Sequence, residues 1–165
     1  MPQLYLIRHG IAVERDLYPT DEERPLTEKG RQKTVQVAKR LHQLGLRFDL
    51  ILTSPLVRAC QTGEILQAAS LSSHLENSPF LAPGGEIESW IAWWEKWQRK
   101  VGGDRLAVVG HQPDLGNWAE MLVWGTAQEK LDLKKAGIIG LSLPKTGTPL
   151  GRSQMFWLTA PKWLL

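Results

Sequence analysis

Leu4-Tyr5-Leu6-Ile7-Arg8-His9-Gly10 is the stretch on which the reading of this chain turns. Four consecutive apolar residues describe a buried strand, and the charged residue, imidazole and glycine that follow end it. The pattern recurs. Phe48 to Thr53 is a second apolar run, and Arg105 to Val109, ending at Gly110-His111, is a third. Between them lie helical stretches. Thr27 caps a helix expected to run to about Leu44, with Val35, Ala38, Leu41 and Leu44 inward and Gly45 as its stop. Ser54-Pro55 reads as an N-cap followed by proline at the first helical position, so a second helix starts there and carries Arg58. From Glu86 to Lys100, Ile87, Trp90, Ile91, Trp94, Trp97 and Val101 keep the spacing of one helical face, with Trp93 off the stripe. Core packing is the simpler account of that face; an interaction surface is the alternative. Leu115 to Trp124 is a fourth helix, ended by Gly125.

The rest is irregular or strand-like. Ile11 to Pro25 is charged, holds Pro19 and Pro25, and reads as a loop. Ala69 to Gly85 is mostly loop, with one short strand near His74 to Glu76. Gly137 to Leu143 and Gln154 to Thr159 are two strands with no room for a crossover helix between them, hence a hairpin. Strands alternating with helices predict an α/β fold: a mostly parallel central sheet with one antiparallel strand, in a single domain over residues 1–165.

Composition narrows the function. The net charge of +3 is spread along the chain rather than clustered, which argues against a nucleic-acid partner. A lone cysteine, Cys60, excludes an internal disulfide framework and suits a reducing compartment. No stretch approaches the roughly 20 apolar residues of a membrane span, and no leader is recognisable at the start. No membrane partner and a cytoplasmic address are expected by default. The four histidines, at positions 9, 42, 74 and 111, show no local ligand pair, so no metal site is expected. His42 and His74 read as structural.

Chemistry gathers at the strand ends. Arg8 and His9 follow the first strand, Arg58 lies early in the helix after the second, and His111 follows the third. In an open α/β sheet, ligands bind outside the carboxyl ends of the strands, so three segments deliver two arginines and two histidines to one rim. Each residue alone has an ordinary explanation, a surface or core histidine or a solvated arginine. An arginine on a first helical turn also opposes the helix dipole, and an anion bound there would relieve that conflict.

The order of these signals is similar to that of a known family. Leu6-Ile7-Arg8-His9-Gly10, Arg24-Pro25-Leu26-Thr27 leading to Gly30, Thr53 to Thr62, and Val109-Gly110-His111-Gln112-Pro113 resemble the histidine phosphatase superfamily, which includes the cofactor-independent phosphoglycerate mutases. The short length, the Arg24 element and Pro83-Gly84-Gly85 look most like its small phosphohistidine phosphatases of the SixA type. The resemblance implies a phosphoglycerate-mutase-like three-layer sandwich with helices on both faces of the sheet. It also implies His9 as a nucleophile that takes a phosphoryl group, with Arg8, Arg58 and His111 forming the phosphate pocket and Arg24 reaching toward it. No cofactor is implied, and inorganic phosphate would be the product.

These residue types suit phosphoryl transfer without a metal. A neutral imidazole is nucleophilic near pH 7, and guanidinium forks match the charged oxygens of the migrating group. His111 would donate to those oxygens and is expected to work best protonated. Two departures bear on substrate. Gln112 follows His111 where the acid phosphatases of the superfamily have an aspartate, and the region that carries a glutamate in the mutases is short here. Glu86 is a candidate acid in that region, and Asp21, Glu22 and Glu23 are alternatives read as a solvated loop. A missing acid hurts hydrolysis of alkyl phosphates more than that of a phosphoramidate, whose imidazole leaves readily. A short insertion also predicts a shallow, open pocket. Both point to a phosphohistidine-bearing signalling protein as substrate. A phosphatase for small phosphorylated substrates, such as sugar phosphates or nucleotides, and a non-catalytic phosphate-binding module are the alternatives. A cysteine phosphatase is rejected, because no arginine follows Cys60 within the next six residues; Cys60 is expected to be buried.

Overall fold

A computed structural model describes residues Met1–Leu165. The opening apolar run becomes strand β1 (Gln3–Arg8), and β2 (Leu50–Thr53) and β4 (Arg105–Gly110) are the other two expected apolar strands. A short β3 (Leu75–Asn77) forms near the predicted place, and β5 (Ile138–Ser142) and β6 (Gln154–Thr159) are the predicted hairpin. All six belong to one sheet in the order β3-β2-β4-β1-β5-β6. Only β5 runs against its neighbours, β1 and β6, as the missing crossover helix required.

Helices cover both faces, giving three layers. Alternate residues of the central strands decide which face they serve. Leu4, Leu6, Leu52, Leu106 and Val108 point to the side of α3 (Ile87–Val101) and α4 (Asp114–Trp124). Tyr5, Ile7, Ile51, Ala107 and Val109 point to the side of α1 (Glu28–Gln43) and α2 (Val57–Ala68). The strands are apolar at every central position because each face has its own core. No helix is long and apolar enough to cross a membrane.

Three local expectations are corrected. The buried face of α1 is Gly30, Thr34, Val37, Ala38 and Leu41, whereas Val35 is half-buried and Leu44 exposed. Gly30 and Thr34 belong to that face because α1 lies close to the loop after β1, a contact without a hydrophobic signature. The Trp-rich helix buries Ile87, Trp90, Ile91 and Trp94, but Val101 is exposed and Trp97 half-buried, its ring stacked on that of Trp93 at 5.8 Å. Finally, α2 begins at Val57, after Leu56, rather than at Pro55. The Ser54 hydroxyl accepts from the Leu56 N–H at 3.2 Å in a tight turn and does not cap the helix.

The β5–β6 pairing shifts register at Gly140–Leu141, so Phe156 and Trp157 together oppose Gly140. This is a β-bulge. An added Cβ at Gly140 would run into the Phe156 ring, and Phe156 meets Tyr5 edge-on at 5.8 Å.

Candidate active site

The three junctions meet at the carboxyl ends of adjacent strands. Parallel register sets Arg8 beside Gly110 and Thr53 beside Val109. The backbone continues the ladder one residue further: His9 N–H donates to Gly110 O at 3.1 Å, and Ser54 N–H to Val109 O at 2.9 Å. The histidines and Ser54 are thus held by main chain rather than by loop packing. The rings of His9 and His111 lie 5.2 Å apart, tilted by 55°.

The chain leaves His9 under tight constraint. Gly10 N–H donates to Thr62 Oγ1 on α2 at 3.0 Å, and that hydroxyl donates to Arg58 O at 2.9 Å. An added Cβ at Gly10 would overlap Thr34 Oγ1, and one at Gly30 would overlap Ile11 O. Thr27 caps α1 by accepting from Gly30 N–H at 2.9 Å, while its own N–H reaches Ile11 O at 2.9 Å. Gln61 Oε1 accepts from Leu26 N–H at 2.8 Å. The glycines and threonines of the motifs therefore clamp residues 9–11 between α1 and α2.

His9 has one ring nitrogen engaged on each side. Nδ1 lies 2.7 Å from Gly10 O, and a carbonyl only accepts, so Nδ1 carries the proton. Nε2 then holds the lone pair, and it accepts from Arg58 Nε at 3.3 Å. Burial lowers the His9 pKa to about 3, and the positive charge on Arg58 and Arg8 acts in the same direction. The ring is therefore neutral near pH 7, with its lone pair on Nε2 facing Arg58 Nε.

His111 Nε2 lies 2.7 Å from Ser54 Oγ. Burial, then the neighbouring Arg58, lowers its pKa to about 4. In this state the ring is neutral, and it can donate through its single N–H. Ser54 escaped the sequence reading because its hydroxyl looked committed to capping a helix. Two buried polar atoms of the cluster, Arg8 Nε and His111 Nδ1, have no hydrogen-bond partner. An oxyanion reaching them would supply one.

Arg58 is 4% exposed and His9 6%, so both side chains are largely covered. The reason is Asp21. The loop from Ile11 to Pro25 folds over the site, and Arg58 Nη1 donates to Asp21 O at 2.8 Å and Nη2 to Asp21 Oδ2 at 3.2 Å. Arg24 does not reach His9; its Nε donates to Asp21 Oδ1 at 2.8 Å and its Nη1 to Val13 O at 2.8 Å. Asp21 is thus part of the site and not a freely solvated loop residue. Burial would raise its pKa, but Arg24 and Arg58 together bring it below the usual value. It stays a carboxylate and makes a poor proton donor. The one available signal was its spacing of three residues before Arg24.

The remaining acid candidates are engaged elsewhere or remote. Gln112 Oε1 accepts from Gly116 N–H at 3.0 Å and its Nε2 donates to Leu131 O at 2.8 Å, a structural role. Glu86 is exposed at the start of α3 and makes no hydrogen bond to any residue of the site. Cys60 is half-buried rather than buried, its Sγ 3.3 Å from Ser54 O, so its thiol faces backbone carbonyls and no anion-binding loop. His42 and His74 lie away from the cluster, on α1 and before β3. Arg8 is anchored by Nη1 donating to Leu133 O at 3.0 Å, and burial lowers its pKa somewhat while leaving it charged.

Comparison with known proteins agrees with this geometry. The sequence profile of the histidine phosphatase superfamily (branch 1) matches residues 4–81. An uncharacterized protein of Picosynechococcus sp. is 50% identical across 99% of both chains. The mitochondrial serine/threonine-protein phosphatase Pgam5 of Drosophila grimshawi is 36% identical over 86 residues, which span 51% of this chain and 29% of that protein. The solved structure of the protein histidine phosphatase SixA complexed with tungstate superimposes with a TM-score of 0.86 at 26% identity, covering 99% of each chain. The alpha-ribazole phosphatase of Shigella flexneri shares the fold, with a TM-score of 0.68 at 17% identity over 96% of each chain. The chain belongs to the histidine phosphatase superfamily, in its SixA-type branch.

Proposed function

We propose that this phosphatase works through a covalent phosphohistidine on His9 and that its substrate is phosphohistidine on a protein. In the first step the Nε2 lone pair of His9 attacks phosphorus. The substrate ring carries a proton on its other nitrogen, so the bond from phosphorus to it breaks with departure of a neutral imidazole. The new P–N bond forms on His9, whose Nδ1 keeps its proton, and that ring takes over the positive charge. In the second step water attacks phosphorus, the His9 bond breaks, and inorganic phosphate leaves. Arg58, Arg8 and His111 are the donors for the oxygens on which charge spreads during both transfers. His9 neutrality supports the nucleophile role, because a protonated ring has no electron pair to offer.

The observation that carries the substrate reading is the absence of a protonated carboxyl beside His9. Asp21 is held ionised by two arginines, Gln112 is tied into backbone, and the exposed Glu86 makes no hydrogen bond to the site. An alkoxide leaving from a phosphomonoester needs a proton at departure, whereas imidazole leaves readily from phosphohistidine. Transfer from one imidazole to another also forms the same type of bond that it breaks.

The test compares phosphate release from a phosphohistidine peptide and from a panel of sugar phosphates, nucleotides and phosphoserine, with wild type and His9→Ala. The expected result is a preference for the phosphoramidate and a loss in the variant of at least about 10³-fold, the scale on which removal of an essential catalytic group acts. Full turnover by His9→Ala would overturn the mechanism. A preference for phosphomonoesters would retain the mechanism and overturn the substrate. Binding of phosphopeptide without turnover by wild type would mark a binding module.

A further inference from the structure

We infer that a cationic groove running out from Arg8 seats carboxylates that flank the phosphorylated residue of an acidic protein substrate; this rests on the protein-phosphatase reading above. The groove encloses about 540 Å³ and is lined by Arg8, Lys33, Lys134, Lys135 and Lys162, with Pro161 among its apolar wall residues. No acidic side chain lines it. Lys134 is paired with Asp132 at 2.6 Å, but Lys33, Lys135 and Lys162 have no acidic partner anywhere in the chain. A chain with a net charge of only +3 therefore concentrates unpaired positive charge beside its phosphate pocket.

Four separate segments build this surface. Arg8 ends β1, and Lys33 stands on α1. Lys134 and Lys135 sit on the loop between α4 and β5, which is fastened to the site at several points. Glu120 Oε1 accepts from Lys130 N–H at 3.1 Å, Gln112 holds Leu131 O, Arg8 holds Leu133 O, and Ala136 N–H donates to Arg8 O at 3.1 Å. Lys162 lies with its Nζ 4.9 Å from the centre of the Trp163 ring. The backbone positions that carry these lysines thus keep a fixed relation to Arg8, which links pocket and groove.

The kind of donor selects the kind of ligand. Lys134, Lys135 and Lys162 are exposed ammonium groups on flexible stems, each strongly hydrated. A small molecule with a second phosphate would need buried, fixed donors to be held tightly. A row of mobile cations instead complements an acidic surface, where it speeds encounter and sets orientation. The occupant we assign is a run of Asp or Glu on either side of a phosphorylated residue.

The experiment uses labelled peptides with a central phosphoserine flanked by glutamates or by glutamines, and reads binding to full-length His9→Ala protein by fluorescence anisotropy. At about 50 mM salt the glutamate peptide should bind about tenfold more tightly, and at about 0.5 M salt the two should converge. The reversal set Lys33→Glu, Lys135→Glu and Lys162→Glu should abolish the preference, and the neutral set Lys33→Gln, Lys135→Gln and Lys162→Gln should reduce it. Both sets should keep the urea-unfolding midpoint and the far-ultraviolet circular dichroism of His9→Ala, which shows that they fold. Equal binding of the two peptides, or a preference that survives the reversal set, would overturn the proposal. So would tighter binding of a single-stranded oligonucleotide of equal charge, which would assign the groove to nucleic acid. If wild type releases no phosphate from any phosphohistidine substrate while the charge-dependent preference persists, the substrate reading fails and the groove stands.

Discussion

At the scale of single residues, the site is a set of donors partly occupied by its own carboxylate. Asp21 binds the Arg58 guanidinium and Arg24, and so takes a place that the proposed mechanism assigns to the phosphoryl group. Bringing phosphate to Arg58 sets two negative charges close together, which raises the free energy of the complex. Asp21→Asn should therefore lower the inhibition constant for inorganic phosphate by about tenfold, a difference of about 1.4 kcal/mol. Competitive inhibition against a phosphohistidine peptide measures it. A weaker or unchanged phosphate inhibition would show that Asp21 mainly holds Arg58 in place. His9, Arg8, Arg58 and His111 were legible in sequence because each stands at or just after a strand end, where local order fixes its position. Asp21 and Ser54 were not. Asp21 reaches Arg58 only through the path of a fifteen-residue loop, from Ile11 to Pro25, and nothing in that loop's composition encodes the fold-over. Ser54 was misread because one hydroxyl can serve a helix cap or a neighbouring imidazole with the same sequence around it.

Elements show where packing overrides periodicity. The inward side of α1 was read from apolar spacing and came out rotated, because part of that face is Gly30 and Thr34 pressed against residues 10 and 11. Apolar periodicity registers greasy contacts and is blind to a backbone-to-backbone approach. This predicts that Gly30→Ala is more damaging than its size suggests. The added methyl meets the Ile11 carbonyl, so the helix or the His9 segment must shift, at a cost of about 1–3 kcal/mol. Urea unfolding should show that loss, and kcat should fall as well because Ile11 lies two residues from His9. A variant with unchanged stability and rate would remove the clamp from the account. The Trp-rich helix illustrates the converse. Its stripe was read correctly over Ile87 to Trp94, then faded where the helix runs past the edge of the core and Val101 meets solvent.

For the molecule as a whole, the antiparallel β5 followed from the short connection to β6 and the three layers from the family resemblance, whereas the strand order β3-β2-β4-β1-β5-β6 followed from neither. Two buried neutral histidines also give the fold a pH dependence. Unfolded histidine titrates near 6.5, whereas His9 and His111 in the fold do so at about 3 and about 4. Between those values the unfolded chain binds protons that the folded chain refuses. Stability is therefore complete above about pH 6.5 and declines as pH falls toward 4, each histidine adding up to about 1.4 kcal/mol per pH unit. Urea midpoints between pH 7 and 4 should fall steeply for wild type and less so for His9→Asn with His111→Asn; parallel curves would contradict this. The bulge opposite Gly140 carries a further consequence. β6 is a free edge of the sheet, and it shows Phe156 at 48% and Leu158 at 45% exposure. A regular edge of that composition is a template on which another chain can add a strand and begin a fibre. The extra residue breaks the spacing of β6 midway, so an incoming strand cannot keep register along its length, and the most apolar border of the sheet is guarded against filament growth by geometry rather than by charge.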